Sequence, residues 1–198
     1  MPGTRRIYYQ ALQVGDELPA WHFTGFERLR AVRYAGASGD FNPLYFDEGF
    51  ARAAGFRSVL VPGPLALGVL ARTVQEWLKA PCLRRLHAKY LKSIWPGDAL
   101  TCRGRIAGRR REGGSYLVDL ELWIENADGE TMVRGDGTAS LFYSAQDEAQ
   151  RLAGGPPLIV DDPPDAAGEP APGEHQAKPD GGARKQGAAA KAAGKSRR

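Results

Sequence analysis

"VPGPLALGVLARTVQEWLKA", residues 61–80, is the stretch whose reading decides the fold. Pro64 suits the first turn of a helix, where its missing N–H would have no partner anyway. Leu65, Leu67, Val69 and Leu70 cover nearly every side of the first two turns, which predicts a helix buried all round at its start. Its later part turns amphipathic, and Pro81 is expected to close it.

Upstream, residues 14–19 read as a turn and residues 20–26 as a short strand. Residues 27–37, "ERLRAVRYAGA", are helical in period, with Leu29, Val32 and Ala35 or Gly36 on one face. Residues 47–54 form a second short helix, with Asp47 as N-cap and Gly55 as its stop. Downstream of Pro81 the period changes to that of strands. Leu86, Ala88 and Tyr90 alternate with Arg85, His87 and Lys89. Residues 99–108 are a strand, and "RRREGG", residues 109–114, is a hairpin loop. In residues 115–126, Tyr116, Val118, Leu120, Leu122 and Ile124 share one face. An Asp-Gly turn then leads into a last strand from Thr131. The order predicts an α+β domain, with a curved antiparallel sheet wrapped around one long helix. An open sheet with helices on one side differs mainly in curvature.

The folded domain is expected over residues 1–150. Residues 151–198 read as a disordered Pro/Gly/Ala-rich tail with a basic end, because they hold too little apolar surface to offset ordering. Residues 153–180 carry six acids and Lys178, a balance of −5, and residues 181–198 carry six bases, a balance of +6. That run contains no aromatic residue for base stacking, so nucleic acid is not the expected partner. Cys82 and Cys102 form no CxxC pair and suggest a reducing compartment. No signal peptide is read at the N-terminus, and the apolar run around Pro62–Pro64 is too short to span a bilayer. A cytoplasmic protein without a membrane anchor is expected. No metal-ligand spacing, phosphate-cradling loop or nucleophile elbow is found. His87 with Arg85 and Lys89, or Arg109, Arg110 and Arg111, could meet a phosphate; a solvated strand face and a charged hairpin loop are the simpler readings. His22 on the first strand and His175 in the tail have no partner in sequence.

The chemistry concentrates in "SGDFNPLYFDEGFARAAGF", residues 38–56. Asp40 and Asn42 before Pro43 are turn formers in their own right. Taken with three neighbouring stretches, they carry more. "YAGASGDFNPLYFD", then "AAGF", then "VLVPGPLALGVLA" and later "KSIWPGDALTC" resemble the MaoC-like group of acyl-thioester hydratases and dehydratases. The likeness runs over about residues 10–143. It implies a single hotdog domain. It also implies addition of water to a trans-2-enoyl thioester in the (R)-specific manner, or its removal from a 3-hydroxyacyl thioester. No cofactor is implied beyond the thioester, carried on coenzyme A or a carrier protein. Hydration needs a base for the water, an acid at the carbon beside the carbonyl, and donors for the developing enolate oxygen.

Carried over by position, Asp40 is the acid/base of the resembled site, Asn42 its neighbour, and Gly63 the amide that holds the thioester oxygen. The place of the family's histidine is taken by Tyr45, and Pro62 and Pro64 stand where relatives often have His and Met. A free tyrosine has a pKa of about 10, against about 6.5 for histidine, so only about one phenol in a thousand is ionised near neutrality. Tyr45 therefore does not inherit a base's duty, although it can donate a hydrogen bond or simply pack. Two readings stay open: a hydratase in which Asp40 is the sole base, or a subunit of little activity paired with an active paralogue. A sheet edge left open in one copy makes a homodimer or heterodimer the expected assembly.

Overall fold

In the computed structural model, residues 6–24, 26–79 and 82–160 are described. The chain divides into two units, residues 1–168 and 169–198, and every described residue belongs to the first. After a 3₁₀ turn at Tyr9–Ala11 come β1 (Trp21–Thr24), α1 (Arg28–Ser38), a second 3₁₀ turn (Pro43–Tyr45), α2 (Glu48–Ala53) and α3 (Gly63–Leu78). β2 (Cys82–Tyr90), β3 (Ala99–Glu112), β4 (Ser115–Asn126), β5 (Thr131–Leu141) and α4 (Ala145–Leu152) complete the order. The five strands form one antiparallel sheet in the order β1-β3-β4-β5-β2. The α+β architecture and the central helix are those expected.

The core lies between α3 and the sheet. Ala66, Val69, Leu70, Val74 and Leu78 of α3 meet Leu100, Cys102, Ile106, Tyr116, Val118, Leu120, Leu122 and Ile124. The β4 residues are the five that alternation placed on one face. α3 is not buried all round, however. Pro64, Gly68 and Arg72 are exposed, and they succeed one another at helical spacing along one side. The sheet covers one face of the helix, and its apolar start supplies more surface than that face needs. At the closest approach of helix and sheet, β5 carries Gly135. A Cβ there would sit 2.8 Å from the His87 carbonyl oxygen and 3.5 Å from Leu70 Cδ1.

Two local expectations are corrected. In α1 the buried residues are Ala31 and Ala35, while Leu29 and Val32 are half exposed. The small residues let the helix lie close to the domain, and the larger ones face outward. The predicted loop at 109–114 is shorter than expected. β3 runs on to Glu112, and Arg109, Arg110 and Arg111 pair with Val118, Leu117 and Tyr116. Gly113 and Gly114, at φ 53° and 76°, make the reversal alone, as a two-residue hairpin turn with both residues at positive φ requires. α2 matches its expectation: Asp47 Oδ1 accepts from the Phe50 N–H at 3.0 Å, and Gly55 stands beyond its end at φ 89°.

The domain also continues past the boundary expected at 150, which falls inside α4. Asp147 is fully buried. Its carboxylate accepts the Tyr143 N–H at 2.9 Å and the Leu158 N–H at 2.8 Å, with Arg151 3.7 Å away. The Tyr116 hydroxyl donates to the Leu158 carbonyl at 2.8 Å and accepts the Val160 N–H at 2.9 Å. Polar anchors rather than apolar bulk hold residues 153–160. The remainder of the expected tail, with His175, and the expected helix stop at Pro81 lie outside the described residues.

Both cysteines are free thiols, in different surroundings. Cys102 is buried on β3 against α3, and burial pushes its thiol up to about 11. Cys82 is exposed at the start of β2. Alkylation of the native protein with iodoacetamide at neutral pH is expected to modify Cys82 and spare Cys102, since the thiolate is the nucleophile. In denaturant both should react. Equal native labelling of the two would contradict the packing of β3 on α3.

Candidate active site

α1 ends where Gly39 takes the left-handed conformation, φ 73°, and donates its N–H to the Ala35 carbonyl at 2.9 Å. The chain then folds on its own side chains. Ser38 Oγ donates to the Tyr34 carbonyl at 2.8 Å and accepts the Asp40 N–H at 3.2 Å. Asp40 Oδ1 accepts the Asn42 N–H at 3.3 Å. Asn42 Oδ1 accepts the Leu44 N–H at 3.0 Å and caps the Pro43–Tyr45 turn. Asp40 and Asn42 thus build the turn whatever else they do, as their residue types alone suggest.

The turn is tied to the approach to α3. Leu60 donates its N–H to the Leu44 carbonyl at 2.8 Å, and Val61 donates to the Ile94 carbonyl at 2.9 Å. Gly63 is the first residue of α3, so its N–H has no acceptor within the helix. Pro62 and Pro64 on either side have no N–H at all. The Leu65 N–H is already used on the Pro62 carbonyl at 3.0 Å.

Three phenols gather around this pair of elements. Burial, then the Asp40 carboxylate by its charge, then Tyr34, raise the Tyr45 pKa above its ordinary value; a hydrogen bond to Asp40 adds to the rise. Burial and then Tyr34 raise Tyr90 in the same direction. Both therefore remain protonated donors at neutral pH. Tyr90, the last residue of β2, lays the phenolic end of its ring over Gly63. A Cβ at 63 would lie 3.0 Å from Tyr90 Cε2 and Cζ. Of the site residues read from the sequence, Tyr45 lies within reach of the Asp40 charge, Gly63 meets the Tyr90 ring, and both phenols feel Tyr34. Sequence reasoning passed over Tyr34 and Tyr90. Tyr90 looked like one more member of the alternating face of β2, and Tyr34, though it opens the motif at residues 34–47, was given no role.

In the single chain this site is open. Asp40 and Asn42 are exposed, and so are Phe41, Phe46 and Phe50 beside them, Phe41 by 64%. Tyr90 and Leu91 add further exposed apolar surface at the end of β2. Large exposed aromatics grouped around one turn mark a surface made to be covered. A cleft of about 410 Å³ lies elsewhere, lined by Arg84, Arg85, Arg110, Glu112, Ser115, Leu117 and Thr138.

Three of the basic residues that could have met a phosphate have partners of their own. Asp136 takes Arg85 and, at 3.3 Å, His87 Nδ1, while Asp119 takes Arg110. His22 Nδ1 lies 3.1 Å from Thr101 Oγ1. Among the described residues no group of three or more His, Cys, Asp or Glu side chains could hold a metal ion. No helix among them is long and apolar enough to cross a membrane.

Comparison with known proteins bears on the family and the fold. The family model described as "MaoC like domain" matches residues 21–121, about half the chain, from β1 into β4. A mitochondrial 3-hydroxyacyl-[acyl-carrier-protein] dehydratase of Arabidopsis thaliana is 28% identical over 131 residues, covering 66% of this chain and 78% of that protein. Among solved structures, an (R)-hydratase from A. caviae involved in PHA biosynthesis superposes with a TM-score of 0.61 at 23% identity, over 67% of this chain and 98% of that one. A chain of the ChsH1-ChsH2 complex from Mycobacterium tuberculosis does so with a TM-score of 0.57 at 22% identity, over 65% and 98%. These superpositions establish the hotdog fold.

Proposed function

The chain belongs to the MaoC-like domain family, and on that premise we propose that it is a hydro-lyase acting on an acyl thioester. It adds water to a trans-2-enoyl thioester or removes it from the (R)-3-hydroxyacyl form. The observation that carries the reading is the influence of the Asp40 carboxylate on Tyr45, in a turn that the Leu60–Leu44 hydrogen bond ties to the approach to Gly63. The names of the Arabidopsis dehydratase and the A. caviae hydratase support the substrate class.

In this reading the Asp40 carboxylate takes a proton from water as the water oxygen bonds to C3. The resulting carboxylic acid gives its proton to C2. Between those events the charge rests on the thioester oxygen, held by the Gly63 N–H at the positive end of α3. Tyr45 donates to Asp40 and holds its orientation, and the turn capped by Asn42 positions both. The chemistry calls on no redox cofactor or metal. Proton transfer through one carboxylate needs a site shut off from bulk water. The exposed Phe41, Phe46 and Phe50 are accordingly assigned to the surface that a second MaoC-like chain covers. The likeness to a chain of the ChsH1-ChsH2 complex supports a sister chain as well as a second copy in that place. Two free thiols suit the reducing, cytoplasmic compartment that this reading assigns.

The test is hydration of trans-2-enoyl-CoA of short and medium chain length by the purified protein, with the 3-hydroxyacyl product identified. Turnover supports the reading, and absence of product at every chain length, alone or with a co-expressed sister chain, removes it.

One observation favours a second reading, a weak subunit that depends on an active paralogue. Tyr45 stays protonated where the resembled site has an ionisable imidazole. Replacing it by histidine puts a group with a pKa of about 6.5 beside Asp40. Tyr45→His is expected to raise kcat at least about tenfold at neutral pH, toward what a positioned acid/base group contributes. A fall in kcat would mean instead that the phenol is the tuned partner of Asp40.

A further inference from the structure

The start of α3 is short of donors. Residues 62–64 offer one backbone N–H between them, that of Gly63, because both neighbours are proline. The next amide, Leu65, is spent on the Pro62 carbonyl. An enolate oxygen held by one amide is weakly held, since acyl-transfer sites use two or more converging donors.

Tyr90 brings a phenol to Gly63. Its ring approaches Gly63 through Cε1, Cζ and Cε2, the three carbons at the phenolic end, at 3.0–3.1 Å from the position a side chain would take. Only a residue without a side chain admits the ring, so glycine at 63 and tyrosine at 90 fit as a pair. Tyr90 is 45% exposed, which leaves it open to an arriving ligand. β2 holds its backbone, with Tyr90 opposite Val133 of β5, so the phenol is carried on a rigid element. Burial and the neighbouring Tyr34 keep it protonated, and hence able to donate.

We propose that the Tyr90 hydroxyl is the second donor to the thioester oxygen, sharing it with the Gly63 amide. This rests on the hydratase reading for its catalytic consequence, though not for its binding consequence. As the C2–C3 bond becomes enolate-like, negative charge moves to that oxygen, and the phenol and the amide hold it together. No proton leaves Tyr90. Its bond strengthens and then relaxes when C2 is protonated.

The test uses Tyr90→Phe, which retains the ring against Gly63 and so preserves the packing. Two readouts are taken on the full chain. The first is kcat and KM for crotonyl-CoA. The variant should lose about 10²-fold in kcat, with KM changed less than about twofold, as for removal of one oxyanion donor. The second is the infrared carbonyl band of bound butyryl-CoA carrying ¹³C at the thioester carbon. This ligand cannot be hydrated. Its band should lie at lower frequency on the parent protein than on Tyr90→Phe. Equal bands and equal kcat overturn the proposal. If no enoyl-CoA of any chain length is hydrated, alone or with a co-expressed sister chain, but the band still moves with Tyr90, the donor assignment stands and the hydratase reading falls. If butyryl-CoA does not bind, the donor assignment falls, and the hydratase reading is decided by turnover alone.

Discussion

Asp40→Asn is expected to cost the protein about 10²–10⁴-fold in hydration rate, the usual effect of losing a positioned acid/base group. The substitution is informative because of how Asp40 is held. Its Oδ1 accepts the Asn42 N–H and its own N–H donates to Ser38 Oγ. An asparagine retains the Oδ1 acceptor, so the turn that carries Asn42 and Tyr45 survives. Only the capacity to take and return a proton is lost. Thermal unfolding should therefore be nearly unchanged while turnover collapses. Alanine at this position would confuse the two roles by removing the acceptor as well. If Asp40→Asn hydrates an enoyl thioester at the parent's rate, Asp40 is a turn former and nothing more.

The second large effect is one of stability. Asp147 is buried, and its carboxylate is the acceptor for two backbone N–H groups, those of Tyr143 and Leu158. Asp147→Ala strands both donors and leaves a gap beside Arg151. At about 1–3 kcal/mol for each unsatisfied buried group, the expected loss is about 2–6 kcal/mol in urea unfolding. Hydrogen exchange should localise it: the amide of Leu158 and those of residues 159–160 should lose protection first. Asp147→Asn, which retains one acceptor oxygen, should lose less. An Asp147→Ala protein within about 0.5 kcal/mol of the parent would contradict the anchoring, since that is the range of ordinary surface substitutions.

The contrast between these two aspartates shows where sequence reading succeeds and where it stops. Asp40 stood in a motif whose spacing to Gly63 is carried by the turn, and the Leu60–Leu44 hydrogen bond ties that turn to the approach to α3. Asp147 stood in a stretch poor in apolar residues. Composition measures what can be buried by hydrophobicity, and residues 153–160 are held by a carboxylate and a phenol instead. α3 and β4 were legible because apolar period and burial coincide there. α1 was legible as a helix, but its orientation was not. Periodicity names a stripe and says nothing of what lies against it, so Leu29 and Val32 were placed with Ala35 rather than turned outward. Tyr34 and Tyr90 were invisible for a related reason. They come from α1 and β2, 56 residues apart in the chain, and only folding brings the two phenols within reach of each other.

Tyr45 is where sequence and structure together alter the chemistry. Its phenol, raised by burial and by Asp40, is a donor and not a base. In the proposed reaction one carboxylate then has to serve both proton transfers. That requirement makes the exposure of Asp40 in the single chain significant, because a carboxylate in bulk water exchanges its proton with solvent before C2 receives it. In the proposed assembly, the exposed phenylalanines around it form the surface on which a second chain supplies the enclosure.

The central claim is that Asp40 moves a hydrogen at C2 of an acyl thioester. It is tested most directly by incubating (R)-3-hydroxybutyryl-CoA with the protein in heavy water and tracking deuterium at C2 by mass spectrometry. The account predicts that the parent protein incorporates deuterium there and that Asp40→Asn, equally folded, does not. Incorporation at the same rate by both proteins, or by neither, would contradict it.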